Sequence, residues 1–212
     1  MNCAHCEGVE KQFDKGVAER ALREYRSHGP GKTTRLLIEA LKAAGIEDLT
    51  LLDIGGGVGV ISHELLKAGA ASVIAIDASS AYLQAAKREA ERQGHAQRIT
   101  YHYGNFVDLA PQLPQAAIVT LDKVICSYPD MRALVSLSST RAGKLYGVVF
   151  PRDTWWMRLG VRVVNLLLRL QRSSFRGFVH PTQAIEAVVR ANGMKRRYYR
   201  TTPLWQVIVY AR

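Results

Sequence analysis

The sequence predicts an α/β protein built on a doubly wound sheet of seven strands, the last running antiparallel, and three observations carry that expectation. From residue 50 to residue 150, short apolar runs of strand length alternate with helical patterns, the rhythm of a mostly parallel sheet covered on both faces. The first run ends in a glycine turn, Asp53-Ile54-Gly55-Gly56-Gly57-Val58-Gly59, which opens a helix. The chain closes with two β-like runs, 195–201 and 204–211, joined only by Thr202-Pro203, a link too short for anything but an antiparallel pair.

Taken in order, residues 8–28 read as one amphipathic helix with Val9, Phe13, Val17, Leu22 and Tyr25 toward one face. His28-Gly29-Pro30-Gly31 stops it, and Thr33 or Thr34 is placed to cap a second helix through Leu36, Leu37 and Leu41. Gly31-Lys32-Thr33 looks like the tail of a phosphate-binding loop, but Arg26 stands where that loop needs its first glycine, which excludes it. Strand 50–54 then leads to a helix from about Val58 to Lys67, and strand 72–77 to helix 81–93, with Ser79-Ser80 as its cap. Strand 98–103 precedes Gly104-Asn105-Phe106 and a short helix. Strand 117–122 precedes a loop with Pro129 and a helix through Leu134 and Leu137, and strand 143–150 ends at Pro151. An apolar helix interrupted by arginines spans 154–172, and helix 181–192, capped by Thr182, ends at Gly193. The expected division is an N-terminal helical arm or cap over 1–45 and a main domain over 46–212, with a helical lid inserted at about 152–178.

Ligands of such sheets sit outside the C-terminal ends of the strands, at the switch point. Asp53, Asp77, Asn105 and Asp122 all fall there. An acid ahead of the glycines, in the order D-x-G-x-G-x-G, suits a ligand with an amino group and a ribose better than one with a pyrophosphate.

Composition narrows the partners. The formal charge is +11, yet residues 1–150 hold 17 Lys/Arg against 16 Asp/Glu, while residues 151–212 hold 12 against 2. The basic last third points to an anionic partner: nucleic acid, an acidic membrane surface or an acidic substrate. An odd set of cysteines, Cys3, Cys6 and Cys126, fits a reducing compartment, and the opening residues do not read as a secretory signal, so a cytoplasmic location is expected. Cys3-x-x-Cys6 lacks a second pair to complete four ligands, so no metal site is expected and the N-terminus is read as exposed chain.

These elements and motifs, above all Leu52-Asp53-Ile54-Gly55-Gly56-Gly57-Val58-Gly59 and Ala75-Ile76-Asp77-Ala78-Ser79, resemble the class I S-adenosylmethionine-dependent methyltransferases, a Rossmann-like family, over roughly residues 45–212. The resemblance implies S-adenosyl-L-methionine as cofactor and S-adenosyl-L-homocysteine as product. It implies that Gly55, Gly56 and Gly57 wrap the methionine part, with Asp53 beside them and Asp77 and Ala78 at the ribose. It also puts Asn105 and Phe106 beside the adenine, with Asn105 in place of the usual acid, and Asp122 at the sulfonium end. A closer stretch, Leu121-Asp122-Lys123-Val124-Ile125-Cys126-Ser127-Tyr128-Pro129, is similar to the magnesium-protoporphyrin O-methyltransferases, as are the insertion after Pro151 and Phe178-Val179-His180. Ser127 stands where that group has histidine, and Tyr25 matches a tyrosine used near the transferred methyl.

Methyl transfer from a sulfonium is an in-line displacement that rests on alignment and exclusion of water. Tyr25, Tyr128, His180 and Asp130 are the side chains able to orient or deprotonate an acceptor, with Tyr25 and Tyr128 taken as catalytic. Ser127-Tyr128-Pro129-Asp130 is not the Asp/Asn-Pro-Pro-Tyr of adenine methylation, and Cys126 follows Ile125 rather than a proline, against cytosine methylation. The insertion is expected to cover a small, apolar, acidic molecule that undergoes O-methylation, with Trp155 and Trp156 on its rings and Arg152, Arg158 and His180 on its polar groups. The same helix can instead lie on an anionic membrane. Two alternatives stand beside this: a nucleic-acid methyltransferase that uses the basic last third, and a non-catalytic cofactor-binding subunit.

Overall fold

The computed structural model describes residues 4–212, with side chains from residue 7 onward, so the Cys3–Cys6 pair lies outside the described residues. Seven strands form one sheet: β1 (Thr50–Ile54), β2 (Ser72–Asp77), β3 (Ile99–Tyr103), β4 (Ala116–Asp122), β5 (Ala142–Pro151), β6 (Lys195–Thr201) and β7 (Trp205–Ala211). Their order is β3-β2-β1-β4-β5-β7-β6. β1 to β5 pair in parallel, whereas β7 runs antiparallel between β5 and β6. The order reverses between β1 and β4, and that switch point is where such sheets open a crevice.

Nine helices flank the sheet among the described residues: α1 (Ala4–Gln12), α2 (Lys15–His28), α3 (Lys32–Ala43), α4 (Val60–Lys67), α5 (Ser80–Arg92), α6 (Phe106–Leu109), α7 (Met131–Thr140), α8 (Trp155–Leu170) and α9 (Thr182–Ala191). Neighbouring residues of each central strand point to opposite faces. Leu52, Val119, Val148 and Ile208 therefore pack with Leu134, Ile185 and Val189 in one layer. Leu51, Ile118, Val149 and Val207 pack with Leu37, Leu41 and Leu65 in the other. A strand buried on both sides must be apolar at nearly every position, which is why β1, β4 and β5 read as continuous apolar runs.

Three expectations from the sequence change here. The single helix over 8–28 is two helices, because the Asp14 carboxylate accepts from the Val17 N–H at 3.0 Å and starts α2 afresh. Gly31, not Thr33 or Thr34, is the N-cap of α3; both threonines are buried in its first turn. Thr182 is the first residue of α9 rather than its cap, and its hydroxyl accepts instead from Gln206 Nε2 at 2.9 Å. Ser79 does cap α5, accepting from the Tyr82 N–H, and Gly193, at φ +80, follows the end of α9.

The arm is fastened to the main domain by a buried carboxylate. Glu89 of α5 has no side-chain exposure and accepts from Arg26 of α2 at 2.8 Å, as well as from Arg92 and Gln93. Burial alone would raise its pKa, but the hydrogen bonds from Arg92, Gln93 and Arg26 outweigh it and hold the carboxyl at about 2. A carboxyl held below its unfolded value stabilises the fold above that value and loses the contribution as pH falls through the folded pKa. The urea midpoint should therefore drop as pH is lowered from 5 toward about 2, and Glu89→Gln should flatten that part of the curve.

Candidate active site

At the C-terminal ends of β1, β2 and β4 lies a cavity of about 820 Å³, in the upper part of the range for small-molecule sites. Its floor is the glycine turn. Gly55 and Gly57 adopt φ of +64 and +57, which non-glycine residues rarely reach. A Cβ at Gly55 would lie 2.4 Å from Val124 Cγ2, and one at Gly56 would lie 2.7 Å from Asp53 Oδ2. The turn is thus bare backbone by necessity, pressed between its own strand and the loop after β4. Gly59, at φ +84, is the N-cap of α4 and makes no side-chain cap bond, so this helix starts at Val60, two residues later than the sequence suggested.

Asp77, at the end of β2, takes the Gly57 N–H on one oxygen at 2.9 Å and the Ser79 N–H on the other at 2.8 Å. Burial pushes its carboxyl up to about 6, against those two backbone bonds. Each oxygen has a second lone pair, and Asp77 lines the cavity, so the carboxylate is able to accept from a pair of vicinal hydroxyls. Ala78, Asn105 and Phe106 line the adjacent wall. Asn105 caps α6 through the Val107 N–H, and the same oxygen accepts from the Tyr128 hydroxyl at 3.1 Å. At the opposite end, Asp122 Oδ2 accepts a short bond from the Thr34 hydroxyl of α3. Its Oδ1 is buried with no hydrogen-bond partner among the described residues, the Lys123 ammonium being 3.6 Å away.

Asp53 lies under the glycine turn. It touches the cavity floor, but it is almost fully buried, and its two oxygens accept from Ser62 and Thr120 hydroxyls, each at 2.8 Å. Burial raises it to about 6, and the two hydroxyls oppose the rise. It braces the turn from beneath and meets the cavity beside the glycines.

The candidate catalytic residues divide. Tyr128 faces the cavity beside Asn105. The Tyr25 ring lines the cavity, but its hydroxyl donates to Glu64 at 2.8 Å, on α4, and burial raises its pKa. Asp130 is the N-cap of α7, accepting from the Ala133 N–H at 3.0 Å. His180 stacks on Phe178, and its Nε2 lies 2.9 Å from the Tyr128 carbonyl oxygen, so it fixes the loop that carries Tyr128.

The structure does not bring Arg152, Trp155, Trp156, Arg158 or His180 to the cavity wall. Arg158 is paired with Asp153 at 2.6 Å, and Trp155 points to solvent. What covers the cavity is the N-terminal arm: Val9, Phe13 and Tyr25, followed by His28 to Lys32, Thr34 and Arg35 of the link into α3. Phe13 packs on Tyr82 of α5 with ring centroids 5.5 Å apart, and its carbonyl accepts from the Ser79 hydroxyl at 2.6 Å. The sequence offered signals for this cover, the apolar face over 8–28 and the likeness of Tyr25 to a tyrosine near the transferred methyl, but the lid was expected from 152–178.

Comparisons agree with this geometry. Residues 51–139 match the methyltransferase domain family. The ribosomal protein L11 methyltransferases of Enterobacter sp. (strain 638) and Escherichia coli O8 (strain IAI1) are each 28% identical over 117 residues, 55% of this chain. That matched segment spans only 39% of the length of these relatives. Among solved structures, the magnesium protoporphyrin IX methyltransferase of Synechocystis PCC 6803 with bound SAH superposes with a TM-score of 0.74 at 20% identity, covering 98% of this chain and 99% of that one. An O-methyltransferase family protein from Burkholderia thailandensis gives 0.73 at 15% identity, covering 97% of this chain and 61% of that one. Residues 51–139 thus match a methyltransferase domain, and the whole chain shares the fold of these solved methyltransferases.

The brace beneath the turn is testable through Thr120. Thr120→Val keeps the shape but leaves one buried Asp53 oxygen without its donor, and should lower unfolding free energy by about 1–3 kcal/mol in urea titrations. A loss below that range would mean that Asp53 is held by the turn rather than holding it.

Proposed function

We propose that this protein is an S-adenosylmethionine-dependent methyltransferase acting on a small, apolar, acidic molecule, with transfer to oxygen. One observation carries the reading: the bare glycine turn, Asp77, Asn105 with Phe106, and Asp122 converge on one cavity from four successive strand ends. The residues fit the cofactor. The turn stays bare because a Cβ at Gly55 or Gly56 would collide with Val124 or Asp53, Asp77 offers lone pairs to ribose hydroxyls, and the buried Oδ1 of Asp122 suits a neighbouring positive charge. The bound cofactor supplies an electrophilic methyl group on sulfur.

The chain's own residues then hold, orient and dehydrate. Asp77 and Asn105 fix the nucleoside, and the arm excludes water through Val9, Phe13 and Tyr25. The acceptor space lies between the link into α3 and the loop after β4, where His28, Lys32, Arg35 and Lys123 line the wall with Val124 and Leu134. Cations beside apolar side chains favour a carboxylic acid with a hydrophobic body. A carboxylate acceptor needs no base, so Tyr128 serves to orient it. The Synechocystis PCC 6803 enzyme with the same fold is named for magnesium protoporphyrin IX.

The nucleic-acid reading rests on β6, whose exposed Lys195, Arg196, Arg197 and Arg200 flank Tyr198 and Tyr199. That strand is the far edge of the sheet, and β5 and β7 separate it from β4. Arg196 is moreover paired with Glu186 at 2.7 Å. The small-acid reading uses groups that already line the cavity.

Incubation with methyl-labelled cofactor and a fractionated cell extract tests the proposal. Label should follow lipid-soluble acids; label in RNA or protein fractions, or in none, would overturn it. Cofactor binding carries its own pH signature. Protonation of Asp77 removes the acceptor, so affinity for S-adenosylhomocysteine should fall as pH drops below about 6, as measured by calorimetry. Asp77→Asn should bind roughly ten- to a hundredfold more weakly at pH 8, with that pH dependence diminished.

A further inference from the structure

Helix α8 is oriented against the usual rule. A surface helix normally turns its apolar stripe inward and its charges outward. Here none of the sixteen residues from Trp155 to Leu170 is buried. The side that meets the protein is narrow: Met157, Val161, Asn165 and Leu168 are half-buried, and Asn165 exchanges two 2.8 Å hydrogen bonds with the backbone of Gly177. On the outward side, Trp155, Leu159, Val163, Leu166 and Leu170 fall within an arc of about 80° at 100° per residue. Trp155 is 76% exposed and Leu170 73%, and Leu159, Val163 and Leu166 are each just over half exposed. Among the described residues, nothing covers this face, and the cavity takes no part of its wall from it.

Charge identifies what fits. Arg158, Arg162 and Arg169 form a row along one border of the apolar arc, and the helix carries no acid. The only acids in the last third of the chain, Asp153 and Glu186, are already paired with Arg158, and with Arg190 and Arg196. Arg162 and Arg169 have no carboxylate partner among the described residues. A second copy docked face to face would bring the same arginine row and no acid of its own α8 to meet it. A helix of this length, about 24 Å, is too short and too charged to cross a bilayer, and among the described residues no helix is long and apolar enough to do so. A surface that accepts apolar side chains to a shallow depth and offers phosphates beside them satisfies both halves of the face at once. We propose that α8 docks the protein on an anionic lipid bilayer, with Trp155 to Leu170 inserted among the acyl chains and Arg162 and Arg169 on lipid phosphates.

The orientation that follows has a use. The segment after α8 returns to the cavity: Phe175 meets the ring of Phe13 edge-on with centroids 5.7 Å apart, and the Phe178 N–H donates to the Cys126 carbonyl at 2.7 Å. The docked face and the cavity cover are therefore joined by a few residues. Docking itself does not depend on which acceptor the cavity takes.

Flotation of the full chain with vesicles of phosphatidylcholine alone, or of phosphatidylcholine with phosphatidylglycerol, tests this without any activity assay. Binding should be strong only with phosphatidylglycerol and weaken as salt is raised. Arg162→Ala and Arg169→Ala should each weaken it by about fivefold. Leu159→Glu/Leu166→Glu should abolish it while leaving the circular dichroism spectrum and S-adenosylhomocysteine binding unchanged, since both positions are exposed. Brominated lipid should quench tryptophan emission in the native chain and lose that effect in Trp155→Ala/Trp156→Ala. Equal binding to neutral vesicles, unchanged binding by the double glutamate variant, or no flotation would overturn the proposal. So would a dimer in sedimentation velocity that Leu159→Glu/Leu166→Glu dissociates, for then a second copy covers the face.

Discussion

The Asp53 carboxylate holds the site together. Buried at the end of β1, it receives one hydroxyl from α4 and one from β4, and its Oδ2 lies directly under Gly56. Three elements that meet at the switch point are thereby tied to one side chain. A carboxylate in this position is costly unless both oxygens are satisfied, and Ser62 and Thr120 satisfy them. The bareness of the turn follows from the same contact, since the acid occupies the space that a Cβ at position 56 would need. Cradle and brace are one feature seen from two sides.

The cavity above that brace is closed by a part of the chain outside the doubly wound core. α2 is held to α5 by the buried Glu89 with its two arginines, and α3 is held to the end of β4 through the short Thr34–Asp122 bond. Both attachments are polar and specific in geometry, whereas the covering side chains, Val9, Phe13 and Tyr25, are apolar. Polar bonds set where the arm sits and apolar surface excludes water.

Strand positions and the glycine turn were legible in the sequence because they are local: a doubly buried strand must be apolar, and a turn with repeated positive φ favours glycine. The strand-end residues Asp77, Asn105 and Asp122 were legible for the same reason, since sheet topology alone puts strand ends together. The role of Asp53 was not. Thr120 lies two residues before Asp122 within an apolar run, and only the β1–β4 register, which pairs Asp53 with Thr120, brings its hydroxyl to the acid. The cover was misplaced on 154–172 because an arginine row beside tryptophans is compatible with a ligand, a membrane or solvent. Helical periodicity tells which residues share a face but not where that face points. Likewise Asp14 broke the first helix with a single cap bond, which the apolar spacing across Phe13 and Val17 conceals.

The contact between the arm and the segment after α8 joins two stretches far apart in the sequence. A Cβ at Gly8 would lie 2.9 Å from the Phe175 backbone nitrogen, so the two backbones touch, beside the edge-on pair of Phe13 and Phe175. During synthesis α1 emerges before the sheet strands, and Phe175 only after β5. The glycine turn and the first five strands are synthesised earlier and can pair in the order they appear, yet one side of the cover has nothing to rest on until the insertion has emerged. Completion of the pocket is in this way deferred until the insertion after the fifth strand has been made.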